Sequence, residues 1–196
     1  MKLSQSDIRK LIKKYFPDLK EKEIGMFLEI TEYHSANNKE VILKSGKTDK
    51  NLVFLLKGVA RAYCINDNGQ EINNFIRAQG HLMGDAKIFG DEIQVLNIEA
   101  IGEIHFLKFD ISRLEKLGYE NSKIMNFYLN FLKEIILTLS YRLNTFVTMT
   151  SEERYLDLIH WNPILIESTY DKHLASFLGI TPITLHRIKK KQKAIK

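Results

Sequence analysis

The chain has 196 residues, of which 44% are hydrophobic, so it is long enough to bury two small hydrophobic cores. It has no run of about 18 apolar residues and no apolar segment at its start, so we expect a cytoplasmic protein without a membrane partner. Its single cysteine, Cys64, cannot form an internal disulfide or by itself hold a zinc ion or an iron–sulfur cluster. The net charge is only +5, but the last sixteen residues contain six basic side chains and no acid, and such a concentration attracts phosphate.

The first thirty residues are predicted to be helical, because apolar side chains recur at helical spacing before and after Pro17. From about Thr31 to Asp110 the sequence changes to short β-rich runs separated by glycine-containing turns. Closely spaced strands without intervening helices indicate an antiparallel roll or barrel. The predicted fold class is therefore α+β, with a β-roll domain and its helical lead-in over residues 1–120.

A long helix is predicted over residues 121–149, where apolar residues follow the alternating four-three spacing of a coiled-coil seam. Such a seam usually packs against a second helix of the same kind, so we expect parallel homodimerisation. An ordinary core helix is the alternative, because Phe127 and Phe131 on a neighbouring face could pack on the roll. The predicted interface residues are Leu129, Leu132, Ile136, Leu139, Leu143 and Phe146.

Residues 150–196 are predicted to hold a helix-turn-helix. Gly179 would end the first helix in a left-handed conformation, Thr181 would cap the second helix, and Pro182 would occupy its first turn. Leu185 would face the core, which leaves the opposite face of the second helix free to enter a major groove of DNA. The residues predicted to contact DNA are Thr181, Ile183, Thr184, His186, Arg187 and Lys190.

In the order and content of these parts the chain resembles the Crp/Fnr family of bacterial regulators over nearly its whole length. The resemblance is carried by the segments 53–61, 80–85, 152–156, 174–181 and 187–188. It implies a cyclic-nucleotide-binding-like β-roll of the double-stranded β-helix type, a dimerisation helix and a C-terminal winged helix-turn-helix. It also implies a transcription regulator that binds a near-palindromic operator as a homodimer, with Arg187 as a base-reading arginine and RNA polymerase as a further candidate partner.

The sequence departs from the family pattern in the segment that would cradle a cyclic phosphate. The family's nucleotide binders have a glutamate and then an arginine there, whereas this chain has Asp85 and Gln94. A neutral glutamine cannot neutralise a phosphate as an arginine does, so we do not expect cyclic AMP as effector. No cofactor is expected either. The family's pocket, between the roll and the long helix, would be lined by Gly84, Asp85, Gln94, Asn97 and Ser140. A filled, ligand-free interior is the alternative.

The C-terminus is short and basic, and no catalytic pattern occurs along the sequence. Because Lys196 follows the second helix closely, the wing is expected to be reduced or missing, and the lysine-rich end could take over part of its phosphate contacts. The main alternative function is a ligand-sensing or protein-interaction module whose helix-turn-helix no longer binds DNA. An enzyme or a metal site is not expected, because His34, His81 and His105 are isolated in the sequence and no catalytic motif is present.

Overall fold

The structure is a computed structural model that describes residues 2–48, 50–85, 87, 90 and 92–195. Two helices come first, a group of strands follows, and the rest of the described chain is helical. The strands are β1 (Glu32–Ala36), β2 (Val41–Leu43), β3 (Asn51–Ile65), β4 (Glu71–Ala78), β5 (Leu82–Met83) and β6 (Asn97–Asp110). The helices are α1 (Gln5–Tyr15), α2 (Glu21–Glu29), α3 (Ile111–Glu120), α4 (Ser122–Thr148), α5 (Ser151–Trp161), α6 (Pro163–Ser168), α7 (Asp171–Leu178) and α8 (Pro182–Ile195). None of the described helices combines the length and apolar character that spanning a bilayer requires.

The strands form one antiparallel roll, which confirms the predicted α+β fold class. The order along the sheet is β1-β6-β3-β4, with β2 also paired to β6 and β5 paired to β3. The two long strands, β3 and β6, carry the sheet around the bend, where their register shifts. Gly58 lies at this bend with φ +88°, and a Cβ there would lie 2.7 Å from the carbonyl oxygen of Glu103, so the bend requires glycine.

Side chains of β3 alternate between two hydrophobic cores, as the pleat of a strand requires. Phe54 and its neighbours two residues away point towards α1, α2, α3 and the first half of α4. Val53 and Leu55 point into the interior of the roll. Aromatic rings dominate the first core, where Phe27 contacts both Phe109 and Phe127 edge to face. The roll is thereby fixed to the start of α4.

A third hydrophobic cluster joins the roll to the C-terminal helices. Val59, Ile76 and Ile101 of the roll pack with buried side chains of α5, α6, α7 and α8, among them Leu174 and Leu185. The helical end of the chain is therefore packed on the roll. Its orientation relative to the sheet is set by side-chain contacts as well as by the connection through α4.

Candidate nucleic-acid interface and candidate ligand pocket

The turn between α7 and α8 depends on one glycine. Gly179 has φ +67°, the left-handed region. The backbone N–H groups of Gly179 and Ile180 donate to the carbonyl oxygens of Ser176 and Ala175 at 3.1 and 3.0 Å, which closes the end of α7. A Cβ on residue 179 would lie 2.6 Å from a ring carbon of Phe146. The turn is thus closed locally and held against the end of α4.

The start of α8 has the predicted cap. The hydroxyl of Thr181 accepts a hydrogen bond from the backbone N–H of Thr184 at 3.1 Å, and the two threonine hydroxyls lie 2.9 Å apart. Pro182 is the first residue of the helix, where its missing N–H leaves no bond unmade. These two threonines, both predicted to contact DNA, therefore also fix the beginning of the helix.

The outward face of α8 carries the other predicted DNA contacts. Leu185 is fully buried against α7 and the roll. The side chains on the opposite side of the helix are exposed and include no acid. They are Ile183, His186, Arg187 and Lys190.

The lysine-rich end continues α8 as a helix to Ile195, and no strand occurs between residues 111 and 195. Lys189 pairs with Asp171. Lys191 pairs with Glu152 at 2.8 Å, so part of the added positive charge is neutralised within the chain. The idea that this end replaces a wing stays a prediction, because no observation tests its contacts with phosphate, and Lys196 lies outside the described residues.

Arg154, which the sequence analysis did not assign a role, ties α5 to this turn. Its side chain donates to the carbonyl oxygens of Leu178 at 3.1 Å and Met149 at 2.8 Å, and it lies over the Phe146 ring at 4.7 Å. The only signal in the sequence was its place in the segment that resembles the Crp/Fnr family. Its observed contacts position the helix-turn-helix rather than bind a ligand.

A polar network fixes α7 on β4. The backbone N–H of Asn73 donates to the Ser176 hydroxyl at 2.9 Å, and its side-chain amide donates to the carbonyl oxygen of His173 at 3.0 Å. The amide oxygen accepts from Arg61 at 3.1 Å, and Arg61 also pairs with Glu99 at 2.9 Å. Because all of these groups are at least partly buried, the network specifies one placement of α7 on the roll.

The predicted dimer seam on α4 is mostly exposed. Five of its six residues lie at the surface of the single chain, and the sixth, Leu132, is half-buried against the first core. The five exposed residues are Leu129, Ile136, Leu139, Leu143 and Phe146. Leu137 and Val147, which the heptad pattern did not include, are also exposed apolar residues of α4. Monomeric proteins seldom expose contiguous apolar surface of this kind.

A cavity of about 70 Å³ lies between the roll and α4, at the place that the resemblance predicted. Gly84 and Asp85 line it, together with Arg77 and apolar side chains. The Asp85 carboxylate accepts hydrogen bonds from the backbone N–H groups of Lys87, Val95 and Leu96 at 3.0, 2.6 and 2.9 Å. Since pockets for drug-sized ligands measure roughly 300 Å³ or more, this cavity is small, and its one acid is engaged with the backbone.

The other residues expected in the pocket lie elsewhere, which corrects the sequence-based lining. Gln94 is buried and its backbone pairs with the turn at Gly46, outside the cavity. The amide oxygen of Asn97 accepts from the backbone and the hydroxyl of Ser45, at 3.1 and 3.2 Å. Ser140 is exposed on α4. Their positions follow from loop hydrogen bonds that spacing from a motif does not reveal.

Arg77 connects the cavity to α4. Its guanidinium donates to Glu134 at 2.6 Å and to Thr138 at 3.3 Å, and Nδ1 of His81 lies 2.8 Å from the same carboxylate. Burial alone would raise the pKa of Glu134, but the hydrogen bond with His81 and the charge of Arg77 outweigh it and hold the pKa below its usual value. This cluster was not predicted from the sequence, because a single arginine in a strand carries no motif.

The three histidines that raised the question of a metal lie apart. His34 contacts Glu32, His81 contacts Glu134, and His105 accepts or donates a hydrogen bond with Tyr33 at 2.7 Å. Within the described part of the chain, no three metal-ligating side chains come together.

The roll and the helices that follow it are similar to those of known proteins. Residues 33–121 match the family model described as Cyclic nucleotide-binding domain. FixK2 from Bradyrhizobium japonicum has a similar structure, with a TM-score of 0.71 at 14% identity over 84% of this chain and 85% of that chain. The c-di-GMP responsive global regulator CLP of Xanthomonas campestris gives 0.68 at 15% identity over 89% and 92%. The Thermus thermophilus catabolite activator protein gives 0.56 at 15% identity over 92% and 86%.

No protein of curated function matches the chain. The similarity to the solved structures extends through the helices that follow the roll, because each alignment covers more than four fifths of both chains. Residues 33–121 thus match the cyclic nucleotide-binding domain family, and the chain as a whole has the fold of the Crp/Fnr regulators.

Proposed function

We propose that this protein is a sequence-specific transcription regulator of the Crp/Fnr type that binds DNA with α8 as recognition helix. The observation that carries the proposal is the exposed outward face of α8, which combines cations and one apolar side chain with no acid. The similarity to CLP, a global regulator that acts on gene expression, supports it. RNA polymerase would be a further partner of such a regulator.

Each side chain of this face has chemistry suited to DNA. Arg187 carries a planar fork that matches the O6 and N7 atoms of guanine, and Ile183 could contact a thymine methyl group. Lys190 and His186 would contact phosphates or base edges. Thr181 lies at the N-terminus of α8, where a helix favours a phosphate.

The protein acts as a homodimer in this proposal. The exposed apolar surface of α4 would be covered by the same surface of a second copy, and this pairing would place two α8 helices in successive major grooves about 34 Å apart. The target is therefore a near-palindrome. Cyclic AMP is not the effector in this proposal, because no arginine takes the place of Gln94.

The test is selection of genomic DNA fragments by the full-length protein, by Arg187→Ala and by Arg113→Ala, followed by sequencing at several salt concentrations. Arg113 is an exposed arginine on α3, so its removal changes the net charge equally without touching α8. We expect the wild type and Arg113→Ala to enrich one palindrome, and Arg187→Ala to lose it while keeping part of the salt-dependent affinity. Retention of the same motif by Arg187→Ala, or no retention by the wild type, would contradict the proposal and favour a protein-interaction module.

A further inference from the structure

A second cleft lies where the roll, α4 and the C-terminal helices meet. Its volume is about 190 Å³, larger than that of the cavity between the roll and α4 alone. Four of its twelve lining residues are aromatic, and most of the lining comes from β4, α4, α5, α6 and α7. The aromatic residues are Phe75, Tyr141, Trp161 and Phe177.

Arg142 lines this cleft and differs from the other partly or fully buried arginines of the roll and α4. Arg61 pairs with Glu71 and Glu99, and Arg77 pairs with Glu134. Among the residues that the structure describes, no carboxylate forms an ion pair with Arg142. Its one hydrogen bond goes to the carbonyl oxygen of Phe177 at 3.3 Å.

Stacking holds the Arg142 guanidinium in place without neutralising it. The group lies over the rings of Phe177 at 4.1 Å and Phe146 at 5.3 Å. Burial lowers the pKa of Arg142 to about 10, and no neighbouring charge offsets this effect. A cation removed from water is usually paired, so its open position at a cleft is a place where an anion would be stabilised.

We propose that this cleft binds a small aromatic acid, with the carboxylate on Arg142 and a single ring between the aromatic walls. An arginine fork can hold a carboxylate through two parallel hydrogen bonds. Glu134 is engaged by Arg77 and His81, which also line the cleft, and no ion pair joins Arg142 to a described carboxylate. A cleft of about 190 Å³ is below the roughly 300 Å³ of pockets for drug-sized ligands, which restricts the ligand to one ring.

Binding at this cleft would regulate the protein, because the ligand contacts three parts at once. It would favour whichever placement of the C-terminal helices closes the cleft around it, and so shift the balance between placements. The inference goes beyond the proposed function, and its test needs no DNA.

The fluorescence of Trp161 measures the binding directly. It is the only tryptophan of the chain, it lines the cleft, and its side chain is 72% exposed. Benzoate serves as the probe, benzyl alcohol supplies the ring without the charge, and acetate supplies the charge without the ring. We expect a saturable change with benzoate at a Kd of about 1 mM or tighter, and at least about ten-fold weaker effects of the other two.

The variant Arg142→Gln removes the charge and leaves a shorter polar side chain, and Arg113→Gln is its matched control on the surface of α3. We expect Arg142→Gln to weaken benzoate binding at least ten-fold and Arg113→Gln to leave it unchanged. Because Arg142→Gln could disturb Phe177, Tyr141→Ala removes one wall while leaving the charge, and it should weaken benzoate binding but not the small effect of acetate. No saturable response of the wild type, equal responses to the three probes, or unchanged binding in Arg142→Gln would overturn the proposal.

Discussion

Gly179 shows how much one residue contributes to the helix-turn-helix. Replacement by alanine should lower the free energy of unfolding for two reasons: alanine disfavours φ +67° by about 1–2 kcal/mol, and its Cβ would lie 2.6 Å from the Phe146 ring. Gly46→Ala is the matched control, because Gly46 has φ +83° and a Cβ at that position would meet nothing within 4 Å. In urea unfolding we expect Gly46→Ala to lose only the conformational part and Gly179→Ala to lose clearly more. Equal losses would mean that Phe146 moves aside freely.

Local rules predicted this residue and its neighbours but not the pocket. Gly179 and Thr181 could be assigned from the sequence because a helix end depends on groups a few positions apart. Asp85 could be placed at the pocket because it directly follows Gly84. Its three hydrogen bonds could not be predicted, because two of their donors, the N–H groups of Val95 and Leu96, lie ten or more residues later in the chain. The placement of Gln94 and Asn97 at the pocket was wrong for the same reason. The backbone of Gln94 and the side chain of Asn97 form hydrogen bonds with the turn after β2, a contact that local sequence spacing does not encode.

At the scale of elements, the contact of α7 with β4 should make stability depend on pH. His173 lies in this contact and is only 4% exposed. Burial, assisted by the charge of Arg61, lowers the pKa of His173 from 6.5 to about 4. Between these values the unfolded chain binds a proton that the folded chain excludes. The contribution of neutral His173 to the free energy of unfolding is therefore fully present above about pH 6.5 and is lost as the pH falls towards 4. At pH 5 this loss amounts to about 2 kcal/mol.

The measurement is urea unfolding at pH 7.5 and pH 5 for the wild type, His173→Phe and His186→Phe. Burial also lowers the pKa of His105, so the wild type loses stability from both histidines in this range. His173→Phe should lose about 2 kcal/mol less than the wild type on acidification. His186→Phe, at an exposed position on α8, should behave as the wild type. An unchanged pH dependence in His173→Phe would show that water reaches this ring.

The sequence pattern predicted the extent of the β-rich region and of α4, but it divided the roll into short runs where the structure has two long strands, β3 and β6. It predicted the face that α4 exposes only in part. The heptad pattern placed Leu132 outward, but this residue is half-buried on the first core, and the pattern omitted Leu137 and Val147. An α-helix with 3.6 residues per turn drifts by about 20° per heptad relative to a strict seven-residue repeat. Val147, four positions after Leu143, lies beside the drifting seam, whereas Leu137 directly follows Ile136 and lies about 100° away from it around the helix.

At the scale of the whole molecule, the three hydrophobic clusters of the described residues leave an apolar surface of α4 uncovered. The helical lead-in covers one face of the roll, the roll encloses its own interior, and the C-terminal helices pack on its far end. The second half of α4 contacts the C-terminal helices and their turn through Arg142 and Phe146, and on its other side it presents apolar side chains to water. A single copy has no described element to cover them, so a second copy is the occupant that we propose.

Ile136→Glu tests this assembly. In a single chain Ile136 is 64% exposed, so glutamate there should leave the folded protomer nearly as stable as before, whereas in a dimer it would bury a charge without a partner. Ile65→Glu is the matched control, because Ile65 is 60% exposed at the end of β3, away from α4. By sedimentation velocity we expect a dimer for the wild type and Ile65→Glu and a monomer for Ile136→Glu. The monomer should also no longer enrich the palindromic DNA sequence. One α8 reads one half-site, and the affinity gained by binding two half-sites at once disappears. If Ile136→Glu remained a dimer, the dimer interface would lie outside α4, and the apolar surface of α4 would be available to another partner.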